Sequence, residues 1–167
     1  MLLDYPRRMK DSFEAYEAPN EYDQSHDEHW IATLNSFPVR LNRIVKSDPA
    51  TTPFPVIGPS LTGPESLVSL RGPCLFDYAN LHNYFAGRNP GTVGRGADGY
   101  GSISRSLSNV SAACPGKSVI TTETGYQTDV AAAQSIPEEA AAKCVPRVFL
   151  EQWLRGIPRT YLYELIN

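Results

Sequence analysis

The sequence predicts an α/β fold, built on a parallel β-sheet of about five strands with intervening helices. Five short apolar or β-branched runs, each bounded by turn residues, occur along the 167 residues. Such runs are typical of buried strands. Amphipathic segments of helical length lie between several of them. Strands that alternate with helices at this spacing indicate βαβ units, in which the strands run parallel. The length suits one domain, which would span 1–167.

The five predicted strands share an apolar or β-branched centre and turn residues at their borders. Pro19 follows the first strand, and a Gly- and Pro-rich stretch, 87–101, follows the third as a long loop. Loops of this length in compact domains are usually functional or mobile. In chain order, the predicted strands are Phe13–Ala18, Phe54–Gly58, Leu75–His82, Val119–Glu123 and Thr160–Leu165.

Three segments between the strands have the character of helices. The first contains Pro38 and the third contains Pro146, and a proline within a helix is expected to kink or break it. The third opens with Pro137 and two glutamates, which suit a helix N-terminus because acids favour the positive end of the helix dipole. The predicted helices are Glu28–Lys46, Ser102–Ala113 and Ile136–Leu154.

Composition and charge exclude several classes of function. Hydrophobic residues make up 41% of the chain and charged residues 20%, which is ordinary globular composition. The formal net charge is 15 − 18 = −3, without a basic run, so no nucleic acid or anionic membrane is expected as a partner. No apolar run approaches the roughly 20 residues that span a bilayer. The N-terminus lacks the features of a secretory signal, so the compartment stays open, and secretion of a full-length protein remains one option.

The three cysteines, Cys74, Cys114 and Cys144, have no CxxC spacing, so they predict neither a zinc site nor a thioredoxin-like motif. Cys74 and Cys114 each lie just before a predicted strand and could meet at one end of the sheet. Buried free cysteine is common in proteins. We therefore favour three separate, mostly buried thiols.

Two glutamates lie at the carboxyl ends of predicted strands. Glu21 follows the first strand and Glu123 ends the fourth. Active sites of parallel α/β folds are built at this edge of the sheet, and a carboxylate that closes an apolar strand is costly to bury without a partner or a task. Hydrolysis of a glycosidic bond needs two carboxyl groups, one that donates a proton and one that attacks or activates water.

The order of these motifs resembles that of the large clan of retaining (β/α)8 glycosidases, which includes cellulase-like and xylosidase-like families. The matching residues are Asn20-Glu21 after one strand, His82 and Tyr84 two strands later, and Glu123 at the end of the next strand. The likeness implies a partial (β/α)8 TIM barrel with five parallel strands, the fourth to the eighth, and with the three N-terminal strands absent. The interval of 123 − 21 = 102 residues suits three strand steps.

The same resemblance implies a role for each matching residue. Glu21 would be the general acid/base and Glu123 the nucleophile of a retaining, double-displacement glycoside hydrolase. Asn20 would bind the sugar 2-hydroxyl, while His82 and Tyr84 would orient Glu123 and the substrate. The expected partner is a carbohydrate, without a metal or an organic cofactor. Glu164, near the end of the last strand, and an aromatic platform at Tyr126 are further candidates for substrate binding.

An incomplete barrel has physical consequences. Five strands cannot close a barrel, so two sheet edges and an apolar inner face would be open to solvent. We expect the polypeptide to be weakly stable and inactive unless another segment or partner completes it. A non-catalytic or degenerate carbohydrate-binding relative is therefore an alternative interpretation.

We place Glu17 outside the site, facing the helices.

Two further motifs suggest other functions. The stretch Gly94–Gly99 fits the GxGxxG pattern, and a nucleotide-dependent α/β enzyme is a further alternative. The glycines do not directly follow a strand, however, as the dinucleotide fingerprint requires. A run of acids and histidines could ligate a metal, but no distant ligand completes the set, and a solvated loop leading into a helix explains it as well. Its members are Asp23, His26, Asp27, Glu28 and His29.

Overall fold

The computed structural model of the chain describes residues 8–9, 12, 14–70, 72–129 and 131–164. Five strands form one sheet in which every neighbouring pair is parallel and the spatial order follows the chain. The sheet is half of a (β/α)8 barrel, which confirms the predicted fold class. In order, the strands are β1 (Tyr16–Glu17), β2 (Val56–Ile57), β3 (Tyr78–His82), β4 (Ser118–Thr124) and β5 (Thr160–Leu162).

The strands are shorter than the apolar runs predict, because a strand extends only where a neighbour runs beside it. β1 pairs with β2 at two positions, Tyr16 with Val56 and Glu17 with Ile57. Two predicted strand residues, Phe13 and Leu165, lie outside the described residues.

Three helices connect strands on the outer face of the sheet. They are α1 (Trp30–Ser47), α2 (Ile103–Ala113) and α3 (Glu138–Leu154), while β2 and β3 are linked through a 3₁₀ segment, Pro64–Ser69. α1 and α3 continue through Pro38 and Pro146, so neither proline ends its helix. In the described part of the chain, no helix is both long enough and apolar enough to cross a bilayer.

The core lies between the helices and the outer face of the sheet. Alternate strand residues such as Ala79 and Leu81 point into it, because successive side chains of a strand face opposite sides. Each fully buried Leu or Val in this layer contributes about 1.5–3 kcal/mol through removal of apolar surface from water. The main contributors are Leu34, Leu41, Val45, Val56, Ala79, Leu81, Val110, Val119 and Val148.

The inner face of the sheet, opposite the helices, is polar at β1, β3 and β4. Glu17 Oε1 accepts a hydrogen bond from Asn80 Nδ2 at 2.7 Å and another from Thr122 Oγ1 at 2.8 Å. These three side chains come from three different strands. The prediction of an apolar inner face is therefore wrong at these positions, and the prediction that Glu17 faces the helices is wrong as well.

The sheet curves strongly enough for its two edge strands to approach each other. Arg159, which precedes β5, forms an ion pair with Glu14, which precedes β1, at 2.7 Å. The hydroxyl of Tyr161 in β5 donates to the other carboxylate oxygen of Glu14 at 3.1 Å. These contacts join residues about 145 positions apart along the chain and brace the amino-terminal ends of the strands.

A disulfide joins Cys74 to Cys114, with 5.7 Å between the Cα atoms. The prediction of three free thiols is wrong; Cys144 alone is free among the three, and it is partly buried. The two bonded cysteines lie before β3 and before β4, which are neighbours in the sheet, so a parallel arrangement brings both segments to one end. Closing a loop of 40 residues stabilises the folded chain by about 4 kcal/mol in the chain-entropy description.

Candidate active site

Glu21 lies four residues after the end of β1, in a left-handed backbone conformation with φ 40° and ψ 47°. This region is uncommon for a residue with a side chain and costs on the order of 1–3 kcal/mol, which the surroundings must offset. Backbone strain of this kind is concentrated at functional sites.

Hydrogen bonds from two directions hold the Glu21 segment in place. Tyr22 donates its hydroxyl hydrogen to Asp27 Oδ2 at 3.2 Å, and Thr33 of α1 donates to the same oxygen at 3.0 Å. Asp23 accepts from the backbone and the hydroxyl of Thr62, in the segment after β2. The backbone N–H of His29, followed by the hydroxyl of Thr33, lowers the pKa of Asp27 below its ordinary value.

These bonds give Asp23 and Asp27 a structural task. Asp23 and Asp27 are engaged in building the segment that presents Glu21, so the metal interpretation of this run has no support in the geometry. Among the described residues, one group of three side chains has metal-ligand chemistry and the required proximity: Glu21, His82 and Glu123.

Glu123 reaches the site through an irregularity between β3 and β4. Leu81 pairs with Thr121, but the next β3 residue, His82, pairs with Glu123, so two β4 residues face one β3 residue. A bulge of this kind re-aims side chains. As a result, Thr122 Oγ1 lies 3.1 Å from His82 Nε2, and Glu123 Oε2 lies 3.8 Å from His82 Nδ1.

The two predicted catalytic carboxylates meet beside a buried imidazole. His82 is 4% exposed, and its Nδ1 lies 2.9 Å from Glu21 Oε1. One ligand atom from each of Glu21, His82 and Glu123 lies within 4.8 Å of the other two. About a quarter of each glutamate side chain is exposed, 25% for Glu21 and 24% for Glu123. The carboxylates are therefore accessible from the open side, with the histidine behind them.

Tyr84 lies at the edge of this group and donates its hydroxyl hydrogen to Glu123 Oε1. Burial, together with the adjacent Glu123 carboxylate, raises the pKa of the Tyr84 hydroxyl far above its ordinary value. The hydroxyl therefore stays protonated, as a donor to Glu123 must be.

The remaining predicted site residues lie beside Glu21 or along a cleft that Tyr84 links to this group. Asn20 is exposed directly before Glu21. Tyr84, Tyr126 and Glu164 line a cleft of about 810 Å³ between the ends of β4 and β5 and the start of α3. The Tyr126 ring stacks on Phe85 at 5.4 Å, and its hydroxyl donates to the carbonyl of Arg88 at 2.7 Å. Tyr126 thus supports the long loop while forming a wall of the cleft.

Gly125, directly after β4, has a steric reason to be glycine. A Cβ at this position would overlap the carbonyl oxygen of Tyr163, at the end of β5. The backbone of Tyr163 also donates to the carbonyl of Thr124 at 2.8 Å. The absence of a side chain at Gly125 lets the end of β5 pack against the residues that follow Glu123.

Sequence reasoning missed Glu17, Asn80 and Thr122, which lie beneath the carboxylates. The sequence contained a signal for Glu17, because this acid lies between Tyr16 and Ala18, two less polar residues that the structure buries. In an alternating strand, a residue between two core positions faces the opposite side. Asn80 and Thr122 are likewise polar residues that alternate with helix-facing residues.

The glycines of the GxGxxG match have a local structural reason. Arg95 and Tyr100 pair in an antiparallel bridge, and a Cβ on Gly94 would overlap the backbone of Gly99. Gly94, Gly96 and Gly99 also have positive φ angles, which favour glycine. The stretch is a tight loop rather than a strand-turn-helix junction, so the geometry gives no support to a dinucleotide fingerprint.

The fold and the site define half of a (β/α)8 barrel with two carboxylates and a histidine clustered at the carboxyl ends of its strands. No protein-family model and no curated protein matches the chain. Solved structures of glycoside-active enzymes do match it, at sequence identities that show the fold alone.

A glycoside hydrolase family 17 beta-1,3-glucanosyltransferase from Rhizomucor miehei is similar over 95% of this chain and 57% of that chain, with a TM-score of 0.64 and 16% identity. An active-site mutant of the Rhizomucor miehei beta-1,3-glucanosyltransferase, in complex with laminaritriose, is similar over 93% of this chain and 57% of that chain. Its TM-score is 0.62 and its sequence identity 15%. A beta-glucanase from Saccharophagus degradans is similar over 98% of this chain and 50% of that chain, with a TM-score of 0.52 and 17% identity. The chain thus spans about half the length of these structures.

Proposed function

We propose that this chain carries the two catalytic carboxylates of a glycoside hydrolase that cleaves O-glycosidic bonds by retaining double displacement. The observation that carries the proposal is the approach of a Glu21 oxygen to within 4.8 Å of a Glu123 oxygen, at the carboxyl ends of β1 and β4. Carboxyl groups about 5–5.5 Å apart are typical of retaining enzymes, and inverting enzymes hold theirs about 6.5–9.5 Å apart.

Glu21 acts as the acid and Glu123 as the nucleophile in this proposal. Glu21 protonates the glycosidic oxygen while Glu123 attacks the anomeric carbon, so the glycosidic bond breaks and a glycosyl–Glu123 ester forms. Water then attacks the ester, Glu21 takes a proton from that water, and the sugar leaves with its original anomeric configuration. Tyr84 orients Glu123 through its hydrogen bond, and Asn20 contacts the 2-hydroxyl.

The neighbouring structures suggest a first substrate. They are a beta-1,3-glucanosyltransferase, its active-site mutant in complex with laminaritriose, and a beta-glucanase. A short β-1,3-glucan is therefore the substrate to test first, in the cleft beside Tyr126 and Glu164. Residues 1–167 act as one barrel unit in this proposal, and another segment or a partner completes the site for turnover.

The test combines product analysis with two variants. Laminaritriose and an aryl β-glucoside are incubated with the chain and with a completed barrel that carries it. The anomer formed first is read by proton NMR. We expect retained configuration, a loss of more than about 10³-fold in kcat/KM for Glu123→Gln, and a loss of about 10²–10⁴-fold for Glu21→Gln.

A matched control is Glu139→Gln, since Glu139 is an exposed glutamate in the first turn of α3, away from the cluster. It should retain full activity. A 2-deoxy-2-fluoro glycoside should label Glu123, as identified by peptide mass spectrometry. Equal turnover by wild type and Glu123→Gln would sink the proposal. Saturable binding without turnover in the completed barrel would favour the alternative, a carbohydrate-binding relative.

A further inference from the structure

A chain of hydrogen bonds leads from Glu17 to the proposed acid. Glu17 Oε1 accepts from Thr122 Oγ1 at 2.8 Å, Thr122 Oγ1 lies 3.1 Å from His82 Nε2, and His82 Nδ1 lies 2.9 Å from Glu21 Oε1. Asn80 lies beside this series of hydrogen bonds. Its Oδ1 lies 2.9 Å from Thr122 Oγ1, and its Nδ2 donates to Glu17.

The direction of these hydrogen bonds follows from counting protons. Thr122 has one hydroxyl hydrogen, and the oxygens of Glu17 and Asn80 beside it can only accept. If that hydrogen pointed to His82, the Thr122 oxygen would lie against two acceptors, at 2.8 and 2.9 Å, with no hydrogen between them. Donation to Glu17 or Asn80 leaves one such contact instead of two, and Thr122 Oγ1 then accepts from His82 Nε2–H.

A protonated Nε2 has a consequence at the other ring nitrogen. The hydrogen bond between His82 Nδ1 and Glu21 Oε1 needs one further proton, carried either by Nδ1 or by the carboxyl group of Glu21. In either form, the Glu21–His82 pair holds one proton beyond that on Nε2. This is the proton that an acid catalyst must deliver to the leaving oxygen.

We propose that Glu17, acting through Thr122, is a positioning residue that fixes His82 as the Nε2–H form, so that Glu21 and His82 together retain the proton for the leaving group. The proposal rests on the function proposed above for Glu21. During bond cleavage the proton moves from the pair to the glycosidic oxygen, and the attacking water returns a proton to the pair in the second step. Glu17 itself touches neither substrate nor reacting atoms.

The surroundings of His82 are consistent with this role. Among the described residues, the ionisable groups that face its ring are carboxylates: Glu17 at 4.0 Å and Glu21 from the β1 side, and Glu123 at 3.8 Å from β4. Carboxylate oxygens on both sides can accept hydrogen bonds from the ring. The Glu17 side chain is 34% exposed, so it can be changed without opening the core.

The first test reads the proton position directly. The full chain is labelled with ¹⁵N-histidine, and long-range ¹H–¹⁵N spectra assign the protonated nitrogens of its three histidines. The His82 signals are identified as those lost in His82→Asn. We expect a protonated Nε2 in the wild type and in Thr122→Ser, which keeps the hydroxyl. Glu17→Gln and Thr122→Val should shift His82 toward the neutral Nδ1–H form. Nδ1–H alone in the wild type, or an unchanged form in both variants, would overturn the proposal.

The second test uses the completed barrel and two aryl glycosides. Glu17→Gln should lower kcat/KM about 10-fold more for a poor phenol leaving group than for an activated dinitrophenol, which leaves without protonation. Thr122→Ser should behave as wild type. Equal losses on both substrates would overturn the proposal. A wild type without turnover would sink the proposed function, while the NMR result would still decide the proton position.

Discussion

Tyr84 donates its hydroxyl hydrogen to Glu123, 39 residues further along the chain. The contact joins the loop after β3 to β4 and occupies one carboxylate oxygen of the proposed nucleophile. Burial and the Glu123 carboxylate raise the pKa of the Tyr84 hydroxyl, so that the hydroxyl remains a hydrogen-bond donor near neutral pH. Four predictions follow from this and other contacts.

Tyr84→Phe removes the donor and leaves the ring. The unpaired Glu123 oxygen then turns toward solvent or toward His82, so the nucleophile spends less time aligned with the anomeric carbon. We expect kcat/KM of the completed barrel to fall about 10–100-fold, with little change in the melting temperature of the chain. Tyr100→Phe is the control, because Tyr100 lies in the loop hairpin and pairs through its backbone. Equal losses in both variants would contradict the role assigned to the Tyr84 hydroxyl.

Gly125→Ala places a methyl group against the Tyr163 carbonyl. Because both partners are backbone atoms near strand ends, neither moves freely, and the end of β5 must shift away from β4. We expect the free energy of unfolding to fall by about 1–3 kcal/mol, as measured by urea titration.

Gly116→Ala is the matched control for Gly125→Ala. A Cβ at Gly116 has no atom within 4 Å, but its φ is +76°, so this change costs only the left-handed strain, about 1–2 kcal/mol. Gly125→Ala should in addition weaken laminaritriose binding by the completed barrel, whereas Gly116→Ala should not. Identical binding by the two variants would refute the steric argument at Gly125.

The disulfide predicts a large dependence of stability on redox state. Reduction, or the paired change Cys74→Ser with Cys114→Ser, should lower the free energy of unfolding by about 4 kcal/mol, because the unfolded chain regains the freedom of the 40-residue loop. Cys144→Ser serves as the control and should cost far less. Thiol titration of the unreduced, denatured chain should find one free thiol, and three such thiols would disprove the bond.

Asp77 predicts a stability term that depends on pH. Its Oδ2 accepts from the backbone N–H of Val56 at 2.7 Å and pairs with Lys46 at 3.0 Å. Burial alone would raise the pKa of Asp77, but the Val56 N–H and Lys46 together hold it below the ordinary value of 3.8. A lowered pKa in the folded state stabilises the protein above about pH 4, and this stabilisation is lost as the pH falls through the folded value.

The measurement compares wild type with Asp77→Asn from pH 7 to pH 2. The side chain is 43% exposed, so we expect a difference below about 1 kcal/mol at neutral pH after solvent screening. That difference should shrink toward zero in the most acidic samples. Asp98→Asn, at an exposed loop position, is the control and should show no such trend. A difference that grows on acidification would contradict the sign of the shift.

Local patterns determined much of the outcome. The alternation of short apolar runs with amphipathic segments specified a parallel α/β sheet, and the structure confirms it. The strand-end positions of Glu21 and Glu123, with His82 and Tyr84 between them in the chain, indicated one shared edge, and the structure brings these four side chains together. Periodicity encodes such features, because the face that a residue occupies depends on its near neighbours in the chain.

Contacts between distant segments were decided only by the tertiary structure. The Cys74–Cys114 bond forms because β3 and β4 are neighbours in the sheet. Thr122 and Glu123 both contact His82 because of a β-bulge, which no residue pattern predicted. The sequence-based prediction placed Glu17 on the helix side of the sheet. The alternation of a strand places it on the inner face, opposite Tyr16 and Ala18. Sheet curvature and strand register arise from packing over the whole molecule. Because both determine which distant side chains meet, contacts between residues dozens of positions apart depend on the complete fold.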